Sequence, residues 1–358
     1  MATALTVSVP PPRAADLGRG SNQTGVRLYN ERLILSLIRR HRSLPKVEIA
    51  RLTGLSVPTT AGIMNRLEAD GLLVKLDPQR GRVGQPAVPF ALNPEGAFSL
   101  GLKVGRRSSE LVLLDFVGEI RRYRRWTYAY PVPEELLEQV REGLAALTGD
   151  LPKAQAARIC GLGLAAPNEL WSWQREINAP PAVLDRWRSV DLRAEVARLS
   201  PWPVHLCNDA TAACAAELSF GEGWCHNDFL YVFVGSFVGG GVVLNGSLFP
   251  GRTGNAGAVG SMPIPAPDAV GRFGTDQLIR HASLYVLEHK LAATGVDPAR
   301  VWQTPGDWGE LGAPLGAWLD EAAAGLATAA VAACAVIDFE AVVIDGAFSS
   351  SVRERLVR

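Results

Sequence analysis

The sequence predicts an α/β protein in two parts: a small basic head of short helices closed by a β-hairpin, and a larger body of two sheet-and-helix lobes. Three observations predict this. Residues 28–92 hold three stretches with helical apolar spacing, then two apolar runs around a Gly/Pro-rich loop. From residue 97 to 358, strand-like apolar runs alternate with helical patterns, the order that builds sheets backed by helices. Charge is divided unevenly although the whole chain is neutral: residues 1–96 carry 13 Lys/Arg against 7 Asp/Glu, and the remainder 23 against 29. A basic first quarter on a mildly acidic body points to one end that meets a polyanion. The 358 residues, 47% of them hydrophobic, suffice for two or three domains with their own cores.

In the head, residues 30–40 place Leu33, Ile34, Leu37 and Ile38 on one helical face. Ser43-Leu44-Pro45 interrupts that helix. Pro45 opens a second one, Lys46–Thr53, where its missing N–H costs little, and Gly54 ends it. Ser56 is the expected N-cap of a third helix reaching Ala69, with Val57, Ile63, Met64 and Leu67 as its apolar face. Residues 49–67 then resemble a helix-turn-helix: small Ala50 lets the helices approach, and Gly54 permits the tight turn. Ser56, Thr59, Thr60, Asn65 and Arg66 are expected on the exposed side, and such side chains hydrogen-bond phosphates and base edges in a major groove. Pro58 is tolerated in the first turn. Residues 71–76 and 87–92 read as strands around a turn-rich loop, a wing whose Arg80 and Arg82 suit the negative potential of a minor groove. A merely solvated hairpin is the plainer alternative, but three helices followed by a basic wing favour DNA.

Residues 1–27, with Pro10, Pro11 and Pro12 and no long apolar core, read as a disordered leader, not a signal peptide; their Arg and Ala content leaves an organelle transit peptide as an alternative. No uninterrupted apolar run reaches the roughly 18–20 residues of a membrane span. Cys160, Cys207, Cys214, Cys225 and Cys334 form no CxxC pair and read as reduced thiols of a cytosolic protein.

The body begins with strands at 98–104, 110–116 and 119–128, the last two joined by a Val117-Gly118 turn. A helix at 133–147, strands at 158–165 and 203–207, and a helix at 210–220 follow. Residues 229–234 and 240–244 form a hairpin across a glycine-rich bend; helices at 277–293 and 315–337 and a strand at 341–344 close the body. Two such sheets, each backed by helices, leave a cleft between lobes.

Four stretches, in this order behind a winged head, resemble the ROK family (repressors, open reading frames and sugar kinases). They are Gly101-Leu102-Lys103-Val104-Gly105, Asn208-Asp209-Ala210, Gly235-Ser236-Phe237-Val238-Gly239-Gly240-Gly241, and Gly254-Asn255-Ala256-Gly257-Ala258-Val259-Gly260-Ser261. The resemblance runs from about Asn30 over nearly the whole chain. It implies a winged helix-turn-helix followed by a two-lobed, actin-like sugar-kinase body.

By the resemblance, Asp209 stands where kinase members keep the base that takes the proton from a sugar hydroxyl, and Asn208 contributes an amide to the same sugar. Asn255 and Gly257 fall in the family's glycine-rich ligand segment. On their own, Asn208 and Asp209 admit a plainer role, capping the helix that starts at Ala210. The phosphate side departs from the family. Lys103 replaces an acid, and Arg106 and Arg107 replace the glycine and threonine that let phosphate oxygens reach backbone N–H groups. Mg²⁺ would lose its acidic partner. Gly239-Gly240-Gly241 is retained, but a glycine run is also an ordinary hairpin bend. Ala258 and Ser261 stand where the family has a sugar-binding Glu and a zinc-binding His, and no cysteine occurs between Ser261 and Thr275. No structural zinc and no cofactor are therefore expected. The family continues beyond Asp345-Gly346 with a longer helical stretch, whereas this sequence ends at Arg358, so either it is truncated or that part of the cleft is reduced.

The expected function is a DNA-binding transcriptional repressor of sugar-related genes, its catalytically degenerate body serving as ligand sensor and dimerisation unit. Asp209 is then a vestigial base. A homodimer or dimer of dimers would place third helices in successive major grooves of a double-stranded operator, roughly 34 Å apart. A sugar or sugar derivative is the expected effector, and the expected location is the bacterial cytoplasm, at the nucleoid, with no membrane. An ATP-dependent kinase for a hexose or amino sugar is the alternative, favoured by Asp209 and opposed by Lys103. A regulator with no ligand at all is a third reading.

Overall fold

The computed structural model describes residues 23–78, 88–172, 174, 179–267, 273–303, 308 and 311–358. The chain divides into two compact units, Met1–Gly96 and Ala97–Arg358.

In the first unit, α1 (Gln23–His41) begins earlier than its apolar pattern suggests. Residues 23–27 of the expected leader are helical despite Gly25, and Arg27 reaches Glu31 one turn on, Nε to Oε1 3.8 Å; residues 1–22 lie outside the described residues. Next, β1 (Ser43–Pro45) is more than an interruption: Leu44 registers against Phe90 of a later strand. The helix α2 (Lys46–Thr53) stops at Gly54, whose φ of +68° is the left-handed conformation that favours glycine at a helix end. Ser56 caps α3 (Val57–Ala69), its Oγ accepting from the Thr59 N–H at 3.3 Å. Two strands follow, β2 (Leu73–Lys75) and β3 (Pro89–Leu92), and the sheet runs β1-β3-β2. Ile34, Ile38, Ile49 and Met64 are fully buried, so all three helices contribute to one small core.

One face of α3 differs from expectation. Thr60, Ile63, Met64 and Leu67 point inward, while Val57 is 54% exposed. The inward stripe follows i, i+3, i+4, i+7 from Thr60, and the first turn, carrying Val57, projects beyond the core.

The second unit opens with β4 (Phe98–Val104), β5 (Ser108–Asp115) and β6 (Ile120–Thr127), an antiparallel meander. The buried Asp115 carboxylate holds the β5–β6 turn, accepting from the N–H groups of Val117, Gly118 and Glu119, each at 3.0 Å, and from Arg121 Nε at 2.7 Å. The helices α4 (Pro133–Thr148) and α5 (Lys153–Ala156) lead into β7 (Ile159–Ala166), then α6 (Pro181–Leu184), α7 (Leu192–Leu199) and β8 (Val204–Asn208). The five-stranded sheet runs β6-β5-β4-β7-β8, with β7 parallel to β4 and β8 parallel to β7. Leu136, Val140 and Leu144 of α4 and Val196 of α7 bury against it.

From the end of β8, α8 (Asp209–Phe220) crosses to the second lobe. There β9 (Phe229–Val234), β10 (Val238–Leu244) and β11 (Ser247–Phe249) form a second sheet. A separate hairpin, β12 (Pro263–Pro267) with β13 (Phe273–Gln277), is followed by α9 (Ile279–Ala282), α10 (Leu284–Ala293), α11 (Arg300–Gln303), α12 (Gly312–Val336), β14 (Ala341–Gly346) and α13 (Ser350–Val357). The second sheet runs β11-β10-β9-β14, with β14 parallel to β9.

The single helix expected at 277–293 is broken, with Gln277 in β13 and Ser283 between α9 and α10. Tertiary hydrogen bonds compensate the break. The Ser283 Oγ accepts from the Val238 N–H at 2.9 Å, its carbonyl accepts from Trp318 Nε1 at 3.1 Å, and the Leu284 N–H donates to the Gly235 carbonyl at 3.0 Å. By length and composition α12 could cross a membrane. Its stripe of Leu315, Trp318, Leu319, Ala322, Leu326 and Ala329 is buried in the second lobe's core, while Val331 and Val336 are exposed. Trp308 meets Trp318 and Phe348 edge-to-face there, at centroid distances of 6.4 and 6.0 Å.

Candidate DNA-binding surface and ligand cleft

On the head, the exposed side of α3 carries Val57, Pro58, Thr59, Gly62, Asn65 and Arg66. A Cβ added at Gly62 would meet nothing within 4 Å, so this face is open. Asn65 accepts from Lys46 Nζ at 2.6 Å, and the Arg66 Nη1 lies 3.1 Å from Glu31 Oε1. Both partnerships are exposed, contribute roughly 0–1 kcal/mol each, and yield readily to a polyanion. The Ser56 hydroxyl is engaged in the cap and lies 2.8 Å from the Thr59 Oγ1. Thr60, expected on this face, is fully buried and cannot reach a groove. Lys46, absent from the expected set, joins the surface through Asn65; the contact spans 19 residues, so no local pattern could have signalled it. Arg80 and Arg82 lie outside the described residues.

In the body, a cleft of about 1270 Å³ separates the two sheets. Asn208 and Asp209 line it, where α8 leaves β8. The Asn208 Oδ1 accepts from the N–H groups of Ala210 at 3.1 Å and Thr211 at 3.3 Å, so the capping role is real. Its amide NH₂ remains available to a ligand. The Asp209 Oδ1 also accepts from the Ala210 N–H, at 2.9 Å. Burial pushes the Asp209 carboxyl above the usual carboxylate range; that hydrogen bond and the charges of Arg106 and Lys103 pull the other way. Burial likewise raises the neighbouring Cys207 thiol and pushes Cys214 up to about 12, so neither is a reactive thiolate at neutral pH.

The glycine run does not form the expected bend. Gly239, Gly240 and Gly241 lie inside β10, and the bend is at residues 235–237. A Cβ at Gly239 would stand 2.8 Å from the Ala210 Cβ, and one at Gly241 would stand 2.5 Å from the Cys214 Cβ. These glycines let α8 lie against the strand, which brings Asp209 to the cleft. Gly257 lines the cleft, but its first role is close packing of backbone on backbone: its φ is +82°, and a Cβ added there would stand 2.5 Å from the Gly241 Cα. Asn255 is exposed at the cleft rim.

The opposite wall is built differently. Arg106 is buried, donating to the carbonyls of Glu169 and Ser172 at 3.2 Å and of Leu170 at 3.5 Å. Its guanidinium lies 4.6 Å from the ring centroid of Phe237, across the cleft. Arg107 donates to the Ala129 carbonyl at 2.6 Å and lies 3.5 Å from the buried Glu288, which also accepts from Trp302 Nε1. Both arginines therefore bridge the lobes where the family's phosphate-binding turn would be open. Among the described residues no group of three His, Cys, Asp or Glu is placed to hold a metal ion. The β12–β13 hairpin is fastened by His281, 2.9 Å from Glu321 on α12 and 3.3 Å from Asp276 on β13.

Comparison with known proteins agrees with this architecture. The ROK family model matches residues 99–277, and a winged helix-turn-helix DNA-binding model matches 27–74. The xylose repressor of Bacillus subtilis is 25% identical over 248 residues, covering 68% of this chain and 62% of that protein. The DNA-binding transcriptional dual regulator NagC of Escherichia coli is 22% identical over 243 residues, covering 67% and 58%. The chain thus spans less than two thirds of the length of these curated relatives. A ROK family transcriptional regulator, a homologue of the E. coli MLC protein, superposes with a TM-score of 0.61 at 18% identity, covering 92% of this chain and 87% of its own. A Streptomyces griseus glucokinase solved with glucose and AMPPNP has a TM-score of 0.54 at 18% identity, covering 73% and 90%.

Proposed function

The chain belongs to the ROK family, and from that premise we propose that it is a DNA-binding transcriptional repressor of sugar-related genes whose cleft senses a ligand without phosphorylating it. In this reading residues 28–92 are the DNA-binding domain and 97–358 the sensor, acting in the cytoplasm at the nucleoid as a homodimer. Thr59, Asn65 and Arg66, joined by Lys46, meet the major groove, and Arg80 and Arg82 meet the minor groove. Asn208, Asp209 and Asn255 face the effector.

The observation that carries the reading is the pair of arginines at the phosphate turn. Arg106 stacked on Phe237 and Arg107 beside Glu288 occupy the ground a triphosphate needs, and Lys103 stands where its metal would want a carboxylate. Asp209 alone speaks for a kinase; without a place for the phosphate donor a base has nothing to do. The effector acts by binding two arrangements of the lobes with different affinity, since only that difference shifts their balance.

Genomic DNA capture with the purified chain tests this directly. Discrete operator fragments are expected, with Asn65→Ala and Arg66→Ala each lowering affinity by about 1–3 kcal/mol where they contact bases. Unchanged affinity in both variants would falsify the DNA-binding assignment. ADP release with a panel of hexoses and amino sugars should stay at background; metal-dependent turnover would restore the kinase reading.

A further inference from the structure

The structure assigns to Val57 and Pro58, the apolar tip of α3, the reading of a thymine methyl group in the operator's major groove. The inference deepens the DNA-binding reading above and rests on it.

Pro58, Ala61, Gly62 and Asn65 recur at helical spacing, so the tip of α3 and Asn65 share one outward face. Val57, at the edge of that face, is 54% exposed, and Pro58 is exposed beside it. The tip is also poor in donors. Pro58 has no N–H, the Thr59 N–H donates to Ser56 Oγ at 3.3 Å, and the Thr60 N–H donates to the Ser56 carbonyl at 2.9 Å. The Thr59 hydroxyl lies 2.8 Å from Ser56 Oγ and belongs to the same cap. A helix N-terminus ordinarily offers free N–H groups to a phosphate, and this one has spent most of them. Ala61 and Gly62 add no polar group on the next turn, and a Cβ built at Gly62 meets nothing within 4 Å. Hydrogen bonding begins two turns beyond the tip, with Asn65 and Arg66. An apolar tip gains from a major groove by covering an apolar group, and the one such group there is the C5 methyl of thymine. The leading residues of a recognition helix are the ones that meet base edges. The face thus divides its work: Val57 and Pro58 cover a methyl, while Asn65 and Arg66 form hydrogen bonds.

A captured operator in which single thymines are replaced by deoxyuridine tests this with the full chain. The exchange keeps base pairing and every hydrogen-bonding group and removes only the methyl. At one or two thymines of each half-site the wild type should lose about four-fold in affinity, the worth of one covered methyl. Val57→Thr and Pro58→Ala should each reduce that loss. The double variant should bind thymine and uracil duplexes alike, and Val57→Ile should keep the preference. Both positions are exposed, so the melting temperature should hold within a degree or so of the wild type. Uniform tolerance of deoxyuridine overturns the inference while the repressor reading stands, and so does a methyl preference that survives the double variant. If no discrete operator is captured, the inference and the DNA-binding reading fall together.

Discussion

On the α8 side of the cleft, Gly239 and Gly241 make room for the Ala210 and Cys214 side chains of α8, and Gly257 brings backbone against backbone; on the β4 side, Arg106 and Arg107 fill the turn with long charged side chains. The first wall is fixed by packing, because larger residues in place of its glycines would push α8 off the sheet. The second wall is free to vary in chemistry, because side chains beyond a strand end can be exchanged while the ladder of β4 with β5 and β7 persists. Packing constrains one wall, whereas side-chain chemistry can vary at the other.

Substitutions should separate the two walls. Gly257→Val is expected to have the largest effect, about 3 kcal/mol or more, because it combines φ near +82° with a Cβ 2.5 Å from the Gly241 backbone. Urea denaturation measures it; a shift under 1 kcal/mol would mean that the glycine wall is soft. Arg106→Ala comes next, at about 2–3 kcal/mol, since three carbonyls lose a buried charged donor. Hydrogen exchange should rise around residues 169–172, and unchanged protection there would show that the arginine does not organise the second wall. Asn208→Ala should cost about 1 kcal/mol through its lost cap. The smallest effect is expected from Asp209→Asn. Burial raises the folded carboxyl above its ordinary 3.8, so ionising it costs stability, a cost absent below the ordinary value and complete once pH exceeds the raised one. The variant should therefore melt slightly higher than the wild type at pH 7 and no differently near pH 3; an acid-side gain instead would reverse the assigned cause.

Much of this is legible in the sequence where the signal is local. The Ser56 cap and the Gly54 stop each depend on a few adjacent residues, and each stands in the structure as those residues predict. What escapes reading depends on distant partners. The strand β1 has three residues ending in proline, and only pairing with Ala91, Phe90 and Pro89 defines it. Residues 277–293 keep a helical apolar pattern through Ser283, so the break becomes visible only with Gly235 and Trp318 beside it. Thr60 has the composition of a reader and the position of a core residue. The hairpin β12–β13 hides behind Pro263, Pro265 and Pro267, which alternate along the strand so that the residues between them can supply its donors. At the cleft, Lys103 and Asp209 are identifiable from the chain, whereas Glu288 and Phe237, which receive the arginines, are not, because that pairing joins separate lobes.

Ser283 has a mechanical consequence. Its hydroxyl and carbonyl stitch residue 238 to Trp318, and the next amides tie α10 to residues 235 and 236. Phe237, Glu288 and the root of α12 are thereby riveted into one block. These hydrogen bonds couple any displacement at Phe237 to α10 and α12. From Trp318 to Val336 α12 forms an arm of about 27 Å, along which a few degrees of rotation near Trp318 become an ångström or more of travel at Val336.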